Sequence, residues 1–170
     1  MDKKVIFESE RIKFVNVSKG LTNDYLKMLG DEDTSRYLSL KKIEYSYEAE
    51  LKWIEEKLNN NDIIFSMIEK ASNEFIGNIE LKSDSGENEI GIVITKKMQD
   101  KHFGTEALTA FIDYLFNTLN LDRVMLKVFS ENKKAIECYK YIGFKEYKID
   151  KNIGIIDGKE VDDIYMEIKK

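Results

Sequence analysis

Residues 89–143 alternate between strand-like and helix-like hydrophobic patterns, and this alternation constrains the fold more than any other feature of the chain. "NEIGIVIT" reads as a strand. The polar loop "KKMQDKHF" follows, and near Gly104 a helix begins that runs to about residue 119. Its Leu108, Phe111, Ile112, Leu115 and Leu119 form an apolar stripe at helical spacing. "DRVMLKVFS" is the next strand, and "ENKKAIECYKYIG" is a helix whose exit residue, Gly143, suits a left-handed cap. A polar loop at a strand-to-helix junction is where helix-terminal anion sites are built.

The rest of the chain supplies strands and a helical insert. "RIKFVNV" alternates and reads as the first strand. "TNDYLKMLGDEDTSRYL" reads as one or two short helices broken near Gly30. "SYEAELKWIEEKLNN" predicts a helix capped by Ser46, with Tyr47, Leu51, Ile54 and Leu58 on its apolar face. "DIIFSMIEK" and "EFIGNIELK" form a hairpin, "SDSGEN" a turn, and "FKEYKIDKNIGI" and "VDDIYMEIKK" a closing strand pair around "IDGKE". An antiparallel meander followed by strand–helix–strand–helix predicts an α+β class fold with a mixed, mostly antiparallel central sheet of about seven strands and about four helices. No repeat, low-complexity segment or linker divides the chain, so residues 1–170 read as a single domain.

Composition narrows the function. Hydrophobic residues make up 42% and charged residues 35% of the chain, a globular balance. One cysteine, Cys138, excludes an internal disulfide framework, and with a single histidine there is no Cys/His metal site to expect. The net charge of −5 argues against a nucleic-acid surface and leans weakly toward cationic substrates. No apolar run reaches membrane-span length and "MDKKVIFESE" has no signal-type apolar core, so the expectation is a cytoplasmic protein without a membrane partner. A homodimer is the default assembly for such a protein.

Two segments carry candidate chemistry. Residues 99–105 have the length of an anion-binding loop, and Gly104 would let backbone approach a ligand closely. An ordinary capped loop is the other reading, and Asp100 and His102 stand where a phosphate loop would more comfortably carry glycine. On the last helix, Asn132, Ala135 and Tyr139 share one face across two turns. An amide, a small residue and a phenol on one face suit a ligand lying against the helix, with the phenol as proton donor. A core tyrosine with its hydroxyl at the surface is the alternative.

Together these segments resemble the GNAT N-acetyltransferase superfamily. Its cofactor loop has the pattern Q/R-x-x-G-x-G/A after a strand and before a helix; here it reads Gln99-Asp100-Lys101-His102-Phe103-Gly104, with His102 in place of the central glycine. A later family segment, N-x-x-A-x-x-x-Y-x-x-x-G-F, is met in full by Asn132, Ala135, Tyr139, Gly143 and Phe144. "MLGDEDTSRYLSL" is similar to the start of the RimJ/RimL-like branch, which includes ribosomal-protein acetyltransferases. "NLDRVMLKVFSENKKAIECYKYIGF" is similar to the matching part of bacterial spermidine acetyltransferases.

The resemblance implies a GNAT fold, acetyl-CoA as donor without a metal, and an amine on a small molecule or peptide as acceptor. Carried over residue by residue, the backbone of Ile92, Val93 and Ile94 would bond the pantetheine and thioester, on a strand that splays from its neighbour. The amides of Gln99, Asp100, Lys101, His102, Phe103, Gly104 and Thr105 would hold the pyrophosphate, Asn132 and Ala135 would border the pantetheine arm, and Tyr139 would protonate the leaving thiolate. An alkylammonium has a pKa of about 10.4 and must lose a proton before attack. Glu80 in "GNIEL" is the first candidate base and Glu89 in "NEIGIVI" the second; a salt-bridged surface role is the alternative for each. Cys138 points away from Tyr139 and reads as packing, His102 as a backbone donor, and Trp53 as a packing anchor. Tyr37, Tyr45 and Tyr47 with Asp31, Glu32 and Asp33 are candidates for a cation pocket. The competing function is a catalytically silent acetyl-CoA-binding regulatory or scaffold domain of the same fold.

Overall fold

The computed structural model describes residues 4–82 and 86–170, and it is built around a split sheet. The first sheet has the order β1-β2-β3-β4-β5, from β1 (Val5–Glu8), β2 (Ile12–Asn16), β3 (Ile64–Glu69), β4 (Phe75–Leu81) and β5 (Ile90–Ile94), with every neighbouring pair antiparallel. The second has the order β6-β8-β7, from β6 (Arg123–Phe129), β7 (Lys145–Ile156) and β8 (Lys159–Lys169). One isolated parallel bridge, Glu89 to Met125, joins them, supported by the Met125 amide donating to the Asn88 carbonyl at 3.1 Å. Beyond it β5 and β6 are no longer paired, and the sheet opens into a cleft.

Helices flank this frame: α1 (Thr22–Gly30), α2 (Glu32–Ser35) and α3 (Tyr47–Asn59) between β2 and β3, α4 (Phe103–Asp113) after β5, and α5 (Lys133–Ile142) after β6. Local chemistry fixes their ends. The Asp31 carboxylate accepts the Thr34 amide at the start of α2, and Ser46 Oγ accepts the Ala49 amide at the start of α3. Gly143 ends α5 at φ 116°, donating to the Tyr139 and Lys140 carbonyls. The β7–β8 hairpin turns on Asp157 and Gly158, both at positive φ, the geometry that Asp-Gly supplies most cheaply. The main core lies between the sheets and α4: Phe14, Met67, Ile79, Leu108, Phe111, Leu115, Val124 and Met166 are all buried. A smaller cluster of Tyr25, Met28, Ile54 and Ile64 seats α1 and α3.

The α+β GNAT fold expected from the sequence is present, with three differences in detail. Among the described residues there are eight strands and five helices, because "VIFE" adds an edge strand too short to show alternation. The helix expected over 104–119 is α-helical only to Asp113 and then widens into a π-turn over Tyr114–Thr118. The buried face of α3 is also rotated from the expected one. Ile54 is fully buried, but Tyr47 and Leu58 are exposed, while Glu50 is buried and Trp53 and Lys57 are half-buried. The stripe Glu50–Trp53–Ile54–Lys57 therefore faces inward, because α3 borders the cleft as well as the core. The turn expected over 83–88 falls partly on residues outside the described ones.

Candidate active site

A continuous cleft of about 2020 Å³ follows the opening between β5 and β6. Gly91, Ile92, Val93 and Ile94 form one wall, and Leu126, Lys127, Val128 and Phe129 the other. Backbone crowding shapes the first wall. Gly77 on β4 sits so close to β5 that a Cβ there would lie 1.9 Å from the Val93 carbonyl oxygen. Glu89, buried to 5% exposure, lies where the two sheets still touch. Its carboxylate binds Lys82 Nζ at 2.8 Å and is 3.6 Å from Lys127 Nζ. Glu89 thus clips β5 to β6 at the root of the cleft through ion pairs, and it also lines the cleft.

The 99–105 loop closes one end. Gln99 Nε2 donates to the Ile94 carbonyl at 2.9 Å, tying the loop to the end of β5. Asp100 and His102 both adopt left-handed backbone, at φ 62° and 63°. A chain curled this way gathers successive N–H groups into a concavity that suits an anion. His102 is the N-cap residue of α4, and no side chain caps the helix. The first helical bond runs from Glu106 N–H to the His102 carbonyl at 3.2 Å, so the N–H groups of Phe103, Gly104 and Thr105 precede it and have no partner within the helix. They carry the positive end of the helix dipole. A Cβ on Gly104 would come within 3.3 Å of Ile94 Cδ1, so glycine keeps the loop close to β5.

The charged side chains of this end are turned aside. Asp100 pairs with Lys134 at the start of α5, and the Lys134 ammonium holds its carboxyl below the usual range. Glu106, in the first turn of α4, is engaged by Ser9 Oγ, the Arg11 amide and Arg11 Nε, each at 2.7 Å. Burial works to raise its pKa, but these donors outweigh burial and hold it low. The Lys101 side chain is not among the residues lining the cleft; its carbonyl accepts from Arg11 Nη1 at 3.1 Å, and the Arg11 guanidinium lies 4.3 Å from the Phe103 ring centre.

Helix α5 brings the other segment to the same cleft. Asn132 caps it, its Oδ1 accepting the Ala135 amide at 3.4 Å. Asn132, Ala135 and Tyr139 all line the cleft, as their shared helical face predicts. The Tyr139 ring packs 6.0 Å from Phe144, and its hydroxyl has no hydrogen-bond partner among the described residues. Burial pushes its pKa well above that of an ordinary tyrosine, with the neighbouring Cys138 adding to the shift, so the phenol stays neutral at working pH. Cys138 Sγ lies 3.4 Å from Thr105 Oγ1, bracing α5 against α4.

The far arm of the cleft is aromatic and acidic. Glu80, on β4, faces Gly91 across the strand pair; a Cβ on Gly91 would come 3.6 Å from the Glu80 carboxylate. Glu80 Oε2 is 3.5 Å from Lys57 Nζ, which also pairs with Asp62 at 3.2 Å. Burial lowers the Lys57 pKa, but Glu80 and Asp62 together raise it further. Tyr25 lies between β3 and α3: its hydroxyl is 2.9 Å from Ser66 Oγ and its ring is 5.5 Å from Trp53. Of the residues considered for a cation pocket, Tyr37, Tyr45 and Asp33 line the cleft, and the Asp33 carboxylate already pairs with Lys96 at 2.9 Å and Arg36 at 3.2 Å. Tyr47 is exposed on the other side of α3, Asp31 caps α2, and Glu32 is on the surface, so those three are not in the pocket. Glu50 was not singled out from sequence and does line it. In the first turn of an amphipathic helix it looks like an ordinary dipole-complementing acid; its spacing from Trp53, Ile54 and Lys57 was the available signal.

Among the described residues, no group of three or more His, Cys, Asp or Glu side chains could hold a metal ion. A family model described as the acetyltransferase (GNAT) domain matches residues 11–145. The uncharacterized N-acetyltransferase p20 of Bacillus licheniformis is 31% identical over 105 residues, covering 60% of this chain and 58% of that protein. The spermidine N(1)-acetyltransferase of Vibrio cholerae is 34% identical over 83 residues, covering 47% of this chain and 48% of that protein. The chain thus spans about half the length of the curated relatives it matches. Among solved structures, a GNAT-family acetyltransferase from Bacillus anthracis superposes with a TM-score of 0.82 at 21% identity, covering 95% of this chain and 96% of that one. The Vibrio cholerae spermidine N-acetyltransferase in complex with CoA and spermine also gives 0.82, at 22% identity, covering 94% and 95%. With its split sheet, its left-handed loop at an uncapped helix and a family match over most of its length, the chain belongs to the GNAT acetyltransferase family.

Proposed function

We propose that the protein transfers an acetyl group from acetyl-CoA to a primary amine on a small molecule. The observation that carries this reading is the convergence, in one cleft, of the uncapped α4 N-terminus, the Tyr139 hydroxyl and the Glu80 carboxylate. An anion-ready loop, an open strand edge and a phenol along one channel fit a long donor with a diphosphate at one end and a thioester at the other. The named N-acetyltransferase relatives support the same chemistry.

The donor, when bound, supplies an acetyl group activated as a thioester. The amides of residues 99–105 would receive the pyrophosphate, and the backbone of Ile92, Val93 and Ile94 would border the arm along β5. Glu80 would accept the proton released from the amine and pass it to solvent. The amine nitrogen would form the C–N bond as the C–S bond breaks, and Tyr139 would give its proton to the departing sulfur and recover one from water. A neutral, desolvated phenol is in the correct state for that donation, and one general acid contributes a factor of roughly 10²–10⁴. Positioning along the cleft would supply much of the remainder.

A thermal-shift titration tests the donor site. Acetyl-CoA at 100 times its Kd would add about 2.7 kcal/mol to stability. No shift at millimolar acetyl-CoA would remove the donor assignment. A shift without thiol release on any amine would favour the silent binding domain.

A further inference from the structure

Among the described residues Glu50 has no stabilising partner. It is only 6% exposed, lines the cleft, and makes no side-chain hydrogen bond or ion pair among the described residues. The cations of its own helix are committed elsewhere: Lys52 to Glu56, and Lys57 to Asp62 and Glu80. Its surroundings are aromatic. Trp53 is one turn along α3, Tyr45 precedes the helix, and Tyr25 packs on Trp53. Glu80 reaches Lys57, which lies two turns along α3 on the face that carries Glu50, and both carboxylates line the same cleft. Burial alone raises the Glu50 pKa, as expected where no cation is near.

A carboxylate removed from water without a countercharge is costly, and a protein normally supplies one. Here nothing in the described chain does so, while the side chain remains open to the cleft. The position suits a cation delivered by a ligand, with the rings of Trp53 and Tyr45 adding cation–π attraction. Glu80 already has Lys57, so the two acids are not equivalent.

We propose that Glu50 is the specificity residue for the acceptor, receiving a second ammonium group while the reacting amine lies at Glu80, so that a linear aliphatic diamine is preferred over a monoamine. This rests on the acetyl-transfer reading for the identity of the ligand. It adds an acceptor requirement, two cationic ends, that acetyl transfer by itself does not impose.

The test uses CoA-saturated full-length protein titrated calorimetrically with diaminobutane and with butylamine, so that it reads binding and does not depend on turnover. Wild type should bind the diamine at least about tenfold tighter than the monoamine, the scale of one charge-assisted contact. Glu50→Gln should remove that preference, leaving butylamine and acetyl-CoA affinities unchanged. Unchanged acetyl-CoA affinity also shows that the variant is folded, and removing an uncompensated buried charge should not lower its melting temperature. Equal binding of the two amines by wild type, or a diamine preference that survives in Glu50→Gln, would overturn the assignment. Failure of acetyl transfer with either amine would count against the proposed function, whereas equal binding of the two amines by wild type, or a preference that survives in Glu50→Gln, counts only against Glu50.

Discussion

The backbone of Gly77 lies so near Val93 that any β-carbon would overlap the Val93 carbonyl, at 1.9 Å. Gly77 pairs with Ile94, the last residue of β5 before the loop, so the contact sets how β5 departs along the cleft. Replacing Gly77 with Ala forces β4 and β5 apart. The expected cost is at least about 2 kcal/mol, at the upper end of overpacking effects. Denaturant unfolding measures it, and acetyl-CoA affinity should fall with it because the cleft wall moves. A variant as stable as wild type would show that β4 and β5 accommodate the added carbon.

His102 caps α4 at φ 63°, a region an L-residue enters at a cost of about 1 kcal/mol or more. His102→Gly relieves that strain and should keep both stability and acetyl-CoA affinity, since only the backbone amide is asked to act. His102→Val places a β-branched residue where it fits worst and should lose more than about 1 kcal/mol along with donor affinity. Donor affinity lost in the glycine variant would show that the imidazole itself takes part.

The clip between Glu106 and Arg11 ties β2 to the first turn of α4. The folded-state pKa of Glu106 is lowered from 4.5, so its contribution is present above that value and is lost as pH falls through the lower folded pKa. The stability difference between wild type and Glu106→Gln should therefore be constant near neutrality and shrink on acidification below about pH 4.5. Chemical denaturation at a series of pH values reads this directly; a difference that grows on acidification would contradict it.

Tyr139→Phe should lower kcat by roughly 10²–10⁴ with little change in folding, because the hydroxyl has no hydrogen-bond partner to lose among the described residues. The raised pKa adds a second signature. In wild type, no loss of activity from Tyr139 ionisation should appear at the ordinary tyrosine pKa of about 10. A Phe variant with undiminished kcat at every pH would remove the general-acid role.

What could be read from sequence was local. Asn132, Ala135, Tyr139 and Gly143 sit on one helix, where spacing alone places them on a face and a cap, and the structure has them there. The 99–105 loop was legible as a junction between a strand and a helix, and Asp100 and His102, which stand where glycine would sit more comfortably, are the two loop residues with left-handed backbone. The division into two sheets was less accessible, since it depends on β5 and β6 separating beyond a single bridge between distant segments. The role of Gly77 depends on a neighbouring strand's carbonyl, and the burial of Glu50 on which side of α3 meets the cleft. Neither relation exists within a sequence window.

The most direct measurement of the central claim is release of free CoA thiol on mixing the protein, acetyl-CoA and diaminobutane, with the amine product identified by mass. The account predicts turnover with one acetyl group added per thiol released, strongly reduced in Tyr139→Phe. Tight acetyl-CoA binding with no acetylated product from any amine tried would contradict it.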